Sequence, residues 1–126
     1  MKLGITVGVP KETAPGETRV AATPDSVKRL VKYGFDINIE EGAGISAGFR
    51  DEDYDSVGAR IVSTNEVWAT PVVTKVAPPT NAEASSIQSG TFIVSLLEPF
   101  RNGELLEGFA KQRVDALALE AGDRLV

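Results

Sequence analysis

The sequence predicts an α/β domain, a doubly wound parallel sheet with helices on both faces. Three observations carry this reading. Short apolar runs that repeat every second residue alternate along the chain with stretches whose apolar residues fall at helical spacing. Prolines, glycines and capping residues mark the changes of rhythm. The length of 126 residues, with 42% hydrophobic and 25% charged residues, suits one domain able to bury its own core.

The elements follow in order. Ile5, Val7 and Val9 alternate as a strand, and Pro10 ends it. Lys11 to Arg19 is rich in turn residues. Thr23 is placed as an N-cap, with Pro24 at the first helical position and Asp25 in the first turn. Val27, Leu30 and Val31 keep helical spacing, and Gly34 stands where a C-terminal glycine cap belongs. Ile37 and Ile39 predict a half-exposed strand. Asp51 to Val57 is a short helix with Asp51 as cap. Ala59 to Val62 is a short strand. Thr64 caps a helical turn that holds Val67 and Trp68. Val72 to Val76 reads as a buried strand stopped by Pro78 and Pro79. Ala82 to Gln88 is a weak helix, and Phe92 to Leu97 a further buried strand. Asn102 caps a helix with Leu105, Leu106 and Phe109 on one face, and Val114 to Leu119 forms the last strand. The alternation predicts a Rossmann-like or flavodoxin-like parallel sheet of about five strands. Ligands of such sheets bind at the carboxyl ends of the strands. No helix follows the last strand to cover that part of the sheet. A unit of this kind either continues or closes with a partner.

Composition excludes several chemistries. There is no cysteine, hence no disulfide or thiolate. There is no histidine, hence no histidine base, Ser-His-Asp triad or His-ligated metal in this chain. The net charge of −5 and the lack of a basic patch argue against nucleic acid. No apolar run approaches the roughly 20 residues of a membrane span, and the first residues do not form a signal peptide. No metal site is expected.

Five features invite a functional reading. Gly42-Ala43-Gly44-Ile45-Ser46-Ala47-Gly48 is similar to a dinucleotide fingerprint. It leads into Asp51-Glu52-Asp53, whose charges oppose a pyrophosphate, so a structural loop is the favoured reading. Lys75 is the single charge in an apolar run at a strand end. It either anchors an anionic ligand or extends its ammonium to solvent. Arg19 either makes a planar contact to a ligand carboxylate or pairs with Glu12 or Glu17 to order its loop. Glu98 and Glu120 sit near strand ends, where capping is the plainer role. Trp68 is expected in the core or an interface.

The ordered motifs resemble one family. Gly8-Val9-Pro10-Lys11-Glu12 and Gly16-Glu17-Thr18-Arg19-Val20-Ala21-Ala22-Thr23-Pro24 are similar to the opening of the alanine dehydrogenase and pyridine nucleotide transhydrogenase family. Glu41-Gly42-Ala43-Gly44, Val67-Trp68 and Val73-Thr74-Lys75-Val76-Ala77-Pro78 continue the match. Alanine dehydrogenases carry a catalytic histidine in the segment matching Val94 to Pro99. This chain has none there, and Ser95 to Asn102 resembles the transhydrogenase alpha-subunit branch, as does Ala116 to Glu120.

The resemblance implies a two-domain protein of which residues 1–126 form the N-terminal domain. The NAD(H)-binding domain then lies outside this chain. It implies hydride transfer from NADH to NADP⁺ coupled to proton translocation, with NADP(H) on a partner component. The expected partners are the remainder of the alpha subunit, a membrane beta subunit and a second copy in a homodimer. The expected location is cytoplasmic, peripheral to the inner membrane. No catalytic acid or base is implied, and the chain alone is expected to bind no cofactor firmly and to be inactive. By resemblance, Arg19 and Lys75 match positions that bind the substrate carboxylate in alanine dehydrogenases. Arg124 matches an arginine near the nicotinamide carboxamide, although Asp123 precedes it where the family has proline. A non-catalytic binding or assembly module and an alanine dehydrogenase-like domain are the rival expectations.

Overall fold

The computed structural model describes residues 2–95, 103–118 and 123–124. Seven strands form one sheet in the order β3-β2-β1-β4-β5-β6-β7. They are β1 (Thr6–Val9), β2 (Asp36–Glu40), β3 (Arg60–Val62), β4 (Val72–Thr74), β5 (Phe92–Ser95), β6 (Asp115–Ala118) and β7 (Asp123–Arg124). The first six are parallel, and β7 runs antiparallel to β6. The doubly wound, Rossmann-like class is therefore as expected. Among the described residues the sheet has seven strands rather than about five: all six expected runs pair, and β7 adds an antiparallel edge.

Five helices connect the strands: α1 (Pro24–Lys32), α2 (Asp51–Asp55), α3 (Thr64–Trp68), α4 (Asn81–Ser85) and α5 (Gly103–Lys111). Thr23 caps α1, its hydroxyl accepting from the Ser26 N–H at 3.2 Å. Two expected caps shift by one residue. Asp51 is the first residue of α2, and Arg50 precedes it in extended backbone, its N–H bonded to the Asp53 carboxylate at 2.8 Å. Ser63 rather than Thr64 caps α3, in a reciprocal box with Glu66. Thr64 instead donates its hydroxyl to Glu40 at 2.8 Å, a tertiary contact that local sequence does not disclose. The cap expected at Asn102 and the strand residues beyond Ser95 lie outside the described residues.

The helices divide between two apolar clusters. Val27 of α1 and Tyr54 of α2 pack with Val9, Ile37 and Ile39. Val67 and Trp68 of α3 and Phe109 of α5 pack with Val73, Ile93 and Ala116. β1 and β2 feed the first cluster and β4, β5 and β6 the second, while β3 sends Ile61 to one and Val62 to the other, as adjacent strand residues facing opposite sides of a sheet do. Trp68 is thus a core residue.

Two close contacts fix the packing. Gly8 of β1 lies under α3, and a side chain there would run into the Val67 carbonyl and the Thr70 hydroxyl. Tyr54, fully buried, donates its phenol to the Ala22 carbonyl at 2.7 Å, tying α2 to the approach to α1. Burial, reinforced by the charges of Asp51 and Asp53, pushes the Tyr54 phenol up to about 12.

Gly8→Ala is expected to cost about 3 kcal/mol, because the new methyl meets backbone that cannot yield. Tyr54→Phe is expected to cost about 1–2 kcal/mol by stranding the Ala22 carbonyl. Urea denaturation checks both. The raised phenol also sets a sign. Its contribution is full below the ordinary value of 10.0 and is lost as pH rises through about 12, and Tyr54→Phe removes that alkaline loss.

Candidate functional site

The strand order reverses between β1 and β4, so their carboxyl ends diverge at the switch point, where open α/β sheets bind their ligands. The chain leaving β1 runs through Pro10 and Lys11 to Glu12. The chain leaving β4 runs through Lys75 to Ala77. Glu12 joins them. Its carboxylate accepts the backbone N–H of Val76 at 2.9 Å and of Ala77 at 3.0 Å, and the Lys75 ammonium at 3.2 Å. A second carboxylate, Glu83 at the third position of α4, lies 3.5 Å from the Lys75 ammonium. The side chains of Lys75, Glu12 and Glu83 are 1%, 3% and 14% exposed.

Burying ions costs several kcal/mol each, and a bare ion pair seldom recovers it. The backbone amides alter the balance. They satisfy the Glu12 oxygens, as the ammonium does, so the node closes without a stranded polar atom among the described residues. Lys75 is therefore neither extended to solvent nor free at the switch point. It is buried and held by two carboxylates.

Arg19 lies in the loop between β1 and α1. Its guanidinium grips Glu17 with two parallel bonds, Nε to Oε2 at 3.0 Å and Nη2 to Oε1 at 2.8 Å. The Arg19 backbone N–H adds a third at 3.0 Å. Of the alternatives open from the sequence, the structure shows the Glu17 pairing that orders the loop. The bonds from Arg19 hold the Glu17 carboxyl down at about 2, from an ordinary 4.5. Glu17, with a smaller contribution from the Glu12 charge, raises Arg19 in turn. The remaining donors of the Arg19 fork are not committed to Glu17. Arg19 is an exposed cation of the loop, its side chain 65% accessible.

The glycine stretch is a turn and not a phosphate cradle. Gly42 and Gly48 hold positive φ angles of 79° and 89°. A side chain on Gly44 would lie 2.6 Å from the Tyr54 ring. The Gly42 N–H, which a phosphate would need, already donates to the Asp51 carboxylate at 3.0 Å. The loop then passes through one tight helical turn, Ile45–Ala47, before reaching the acidic start of α2. These residues do not fit the pyrophosphate of a dinucleotide.

Arg124 is placed by its backbone opposite Leu117 in the β6–β7 pair. Its side chain, like Glu98 and Glu120, lies outside the described residues. No group of His, Cys, Asp or Glu suited to a metal ion is found among the described residues. Sequence reasoning missed Glu12 as the centre of the site and Glu83 as its neighbour. The available signal was a lysine alone in an apolar run, which needs a counter-ion if buried. Which acid supplies it depends on strand adjacency.

A doubly wound parallel sheet with charged groups gathered at its switch point places the chain in the Rossmann-like α/β class. Residues 8–125 match the family model described as "Alanine dehydrogenase/PNT, N-terminal domain". The chain is 35% identical over 119 residues to the NAD(P) transhydrogenase subunit alpha of Haemophilus influenzae, covering 94% of this chain and 23% of that protein. It is 36% identical over 115 residues to alanine dehydrogenase of Bacillus subtilis, covering 90% of this chain and 30% of that protein. It superimposes on the crystal structure of transhydrogenase from Sinorhizobium meliloti with a TM-score of 0.89 at 32% identity, covering 96% of this chain and 36% of that one. The chain belongs to the alanine dehydrogenase/PNT N-terminal domain family. It spans about a quarter to a third of the length of these relatives.

Glu12→Gln is expected to destabilise the domain by about 3–5 kcal/mol, since it leaves a buried ammonium under-compensated. Lys75→Met is expected to cost less, because Glu12 keeps both backbone donors. Denaturant titration of the two variants orders them. The Glu17 carboxyl contributes stability that is present above about 4.5 and lost as pH falls toward about 2. Carboxyl-carbon NMR of Arg19→Ala is expected to return its midpoint toward 4.5.

Proposed function

We propose that this chain is the N-terminal domain of the soluble NAD(H)-side component of a proton-translocating NAD(P) transhydrogenase. The observation that carries the reading is the match to transhydrogenase alpha subunits over 94% of the chain, together with a histidine-free sequence. Alanine dehydrogenases place a catalytic histidine in the segment matching Val94 to Pro99. Hydride transfer to a carbon–nitrogen double bond benefits from a positioned proton donor. Transfer between two nicotinamides needs none.

In this reading residues 1–126 form one domain, and a separate NAD(H)-binding domain supplies the phosphate cradle. The occupied amide of Gly42 supports that division, because the one glycine-rich stretch of this chain is already committed to Asp51. The domain contributes the switch-point edge of the site. Lys75 and Arg19 are its ligand-edge cations, each held by a carboxylate of the same chain. Arg124 is the nicotinamide-side contact, at the outer strand of the sheet. NADP(H) sits on a partner component, the other partners are a membrane beta subunit and a second alpha copy, and the assembly is cytoplasmic and peripheral to the inner membrane. No helix among the described residues is long and apolar enough to cross a membrane, which is compatible with a peripheral part.

Two measurements test the reading. The polypeptide carrying these residues, combined with its membrane component, is expected to oxidise NADH in a manner that depends on NADP⁺. Oxidation that depends instead on pyruvate and ammonium would assign it to the alanine dehydrogenases. The chain by itself, titrated with millimolar NADH and followed by amide NMR, is expected to show no saturable shifts at Gly42 to Gly48. Saturable shifts there would make that loop a cofactor site after all.

A further inference from the structure

Phe49 stands two residues before the acidic run Asp51-Glu52-Asp53. Its backbone N–H donates to the Gly44 carbonyl at 2.9 Å, and its ring meets Tyr54 edge-on with centroids 6.2 Å apart. Tyr54 is itself tied to the Ala22 carbonyl. Phe49 is therefore held in place although it is only half-buried. Together with Pro24 and Val57 it lines a surface groove of about 520 Å³ between the first turn of α1 and α2. Asp25 on the α1 side and Asp53 and Ser56 on the α2 side complete the lining. The groove thus has an apolar floor, already formed, and carboxylates on both banks.

The charge around it is one-sided. α2 has the sequence Asp51-Glu52-Asp53-Tyr54-Asp55, four acids and no base. Asp51 is turned to the Gly42 N–H. Asp25 pairs with Arg29 at 3.1 Å and Asp53 with Arg50 at 3.4 Å. Exposed pairs of this kind are worth at most about 1 kcal/mol, so an incoming cation exchanges with them at little cost. Glu52 and Asp55 are in no ion pair among the described residues. The positive end of a helix dipole is about half a unit charge and does not cancel these acids. A second copy of the chain would bring the same acids and be repelled, as would nucleic acid or an anionic lipid surface. The floor calls for an apolar side chain, and the banks call for cations beside it.

We propose that the groove between α1 and α2 docks a basic segment of a partner protein. An apolar side chain of that segment sits on Pro24, Phe49 and Val57, and its flanking arginines or lysines meet Asp25 and Asp53. The groove shares no residue with the Lys75 node and serves whichever reaction the full protein performs.

A capped peptide of one leucine between two pairs of arginines is the probe, titrated into the 126-residue chain and followed by amide NMR. Saturable shifts are expected at Phe49 and Val57. Asp25→Asn combined with Asp53→Asn is expected to weaken binding about tenfold. Asparagine at position 53 can still accept the Arg50 N–H, so the start of α2 is kept. Glu104→Gln combined with Glu107→Gln removes as much charge from α5, which packs in the other apolar cluster, and is expected to change nothing. Replacing the leucine of the peptide by glycine is expected to cost about tenfold, through the lost apolar contact. The proposal is overturned if Phe49 and Val57 show no saturable shift. It is overturned equally if the α5 pair of substitutions weakens binding as much, which would mark general charge attraction. A glycine peptide that binds as tightly, or leucinamide that does so as a small organic cation, also overturns it.

Discussion

The carboxylate of Glu12 holds the chain leaving β1 to the chain leaving β4 at the carboxyl edge of the sheet. It lies 63 residues from Lys75 in sequence, yet binds that side chain and the next two backbone amides. A salt bridge alone would not justify burying two ions, because desolvation consumes most of the attraction. The backbone bonds supply the rest. They also explain why the residue is an acid: an apolar side chain of similar size would pack as well but leave two N–H groups without partners. The fold therefore keeps a costly polar node where β1 and β4 diverge.

The same device recurs along this edge of the sheet. Glu40 receives the Lys11 N–H at 2.9 Å and the Thr64 hydroxyl at 2.8 Å. Asp51 receives the Gly42 N–H. Each carboxylate takes up a backbone or hydroxyl donor that the ladder leaves behind when a strand ends. A loop stitched in this way is ordered without a large apolar contact. The cost is that the Lys11, Gly42, Val76 and Ala77 amides are spent on carboxylates of the same chain and are not open to a phosphate.

Much of the architecture was legible before any coordinates. The alternation of Ile37 and Ile39, the Thr23-Pro24 start of α1 and the apolar Val72-Val73 run each report a local preference that the tertiary structure preserves. The small errors are also local. At the start of α3 two adjacent hydroxyl residues compete to cap, and the choice went to Ser63 because Thr64 is drawn to Glu40, whereas at the start of α2 Asp51 turns its carboxylate to the Gly42 N–H and Arg50 stands at the cap position without a side-chain cap bond. Val76 was expected to extend β4, but its N–H turns to Glu12 and leaves the ladder. The glycine stretch was readable as structural because charge opposes phosphate regardless of geometry.

By itself the sequence determined the class of fold, the order of elements, the family and the excluded chemistries. These follow from periodicity, capping and composition, which act over a few residues, and from motifs kept in order along the chain. Only the tertiary structure decided what Lys75 and Arg19 do. Lys75 directly follows β4 and Arg19 lies in the loop after β1, and locally each was as well suited to a ligand as to an acid of its own chain. Their partners are fixed by different distances along the chain. Arg19 found Glu17 two residues away, whereas Lys75 found Glu12 across the sheet. That pairing exists because β1 and β4 lie side by side, and strand adjacency is set by the packing of the whole sheet.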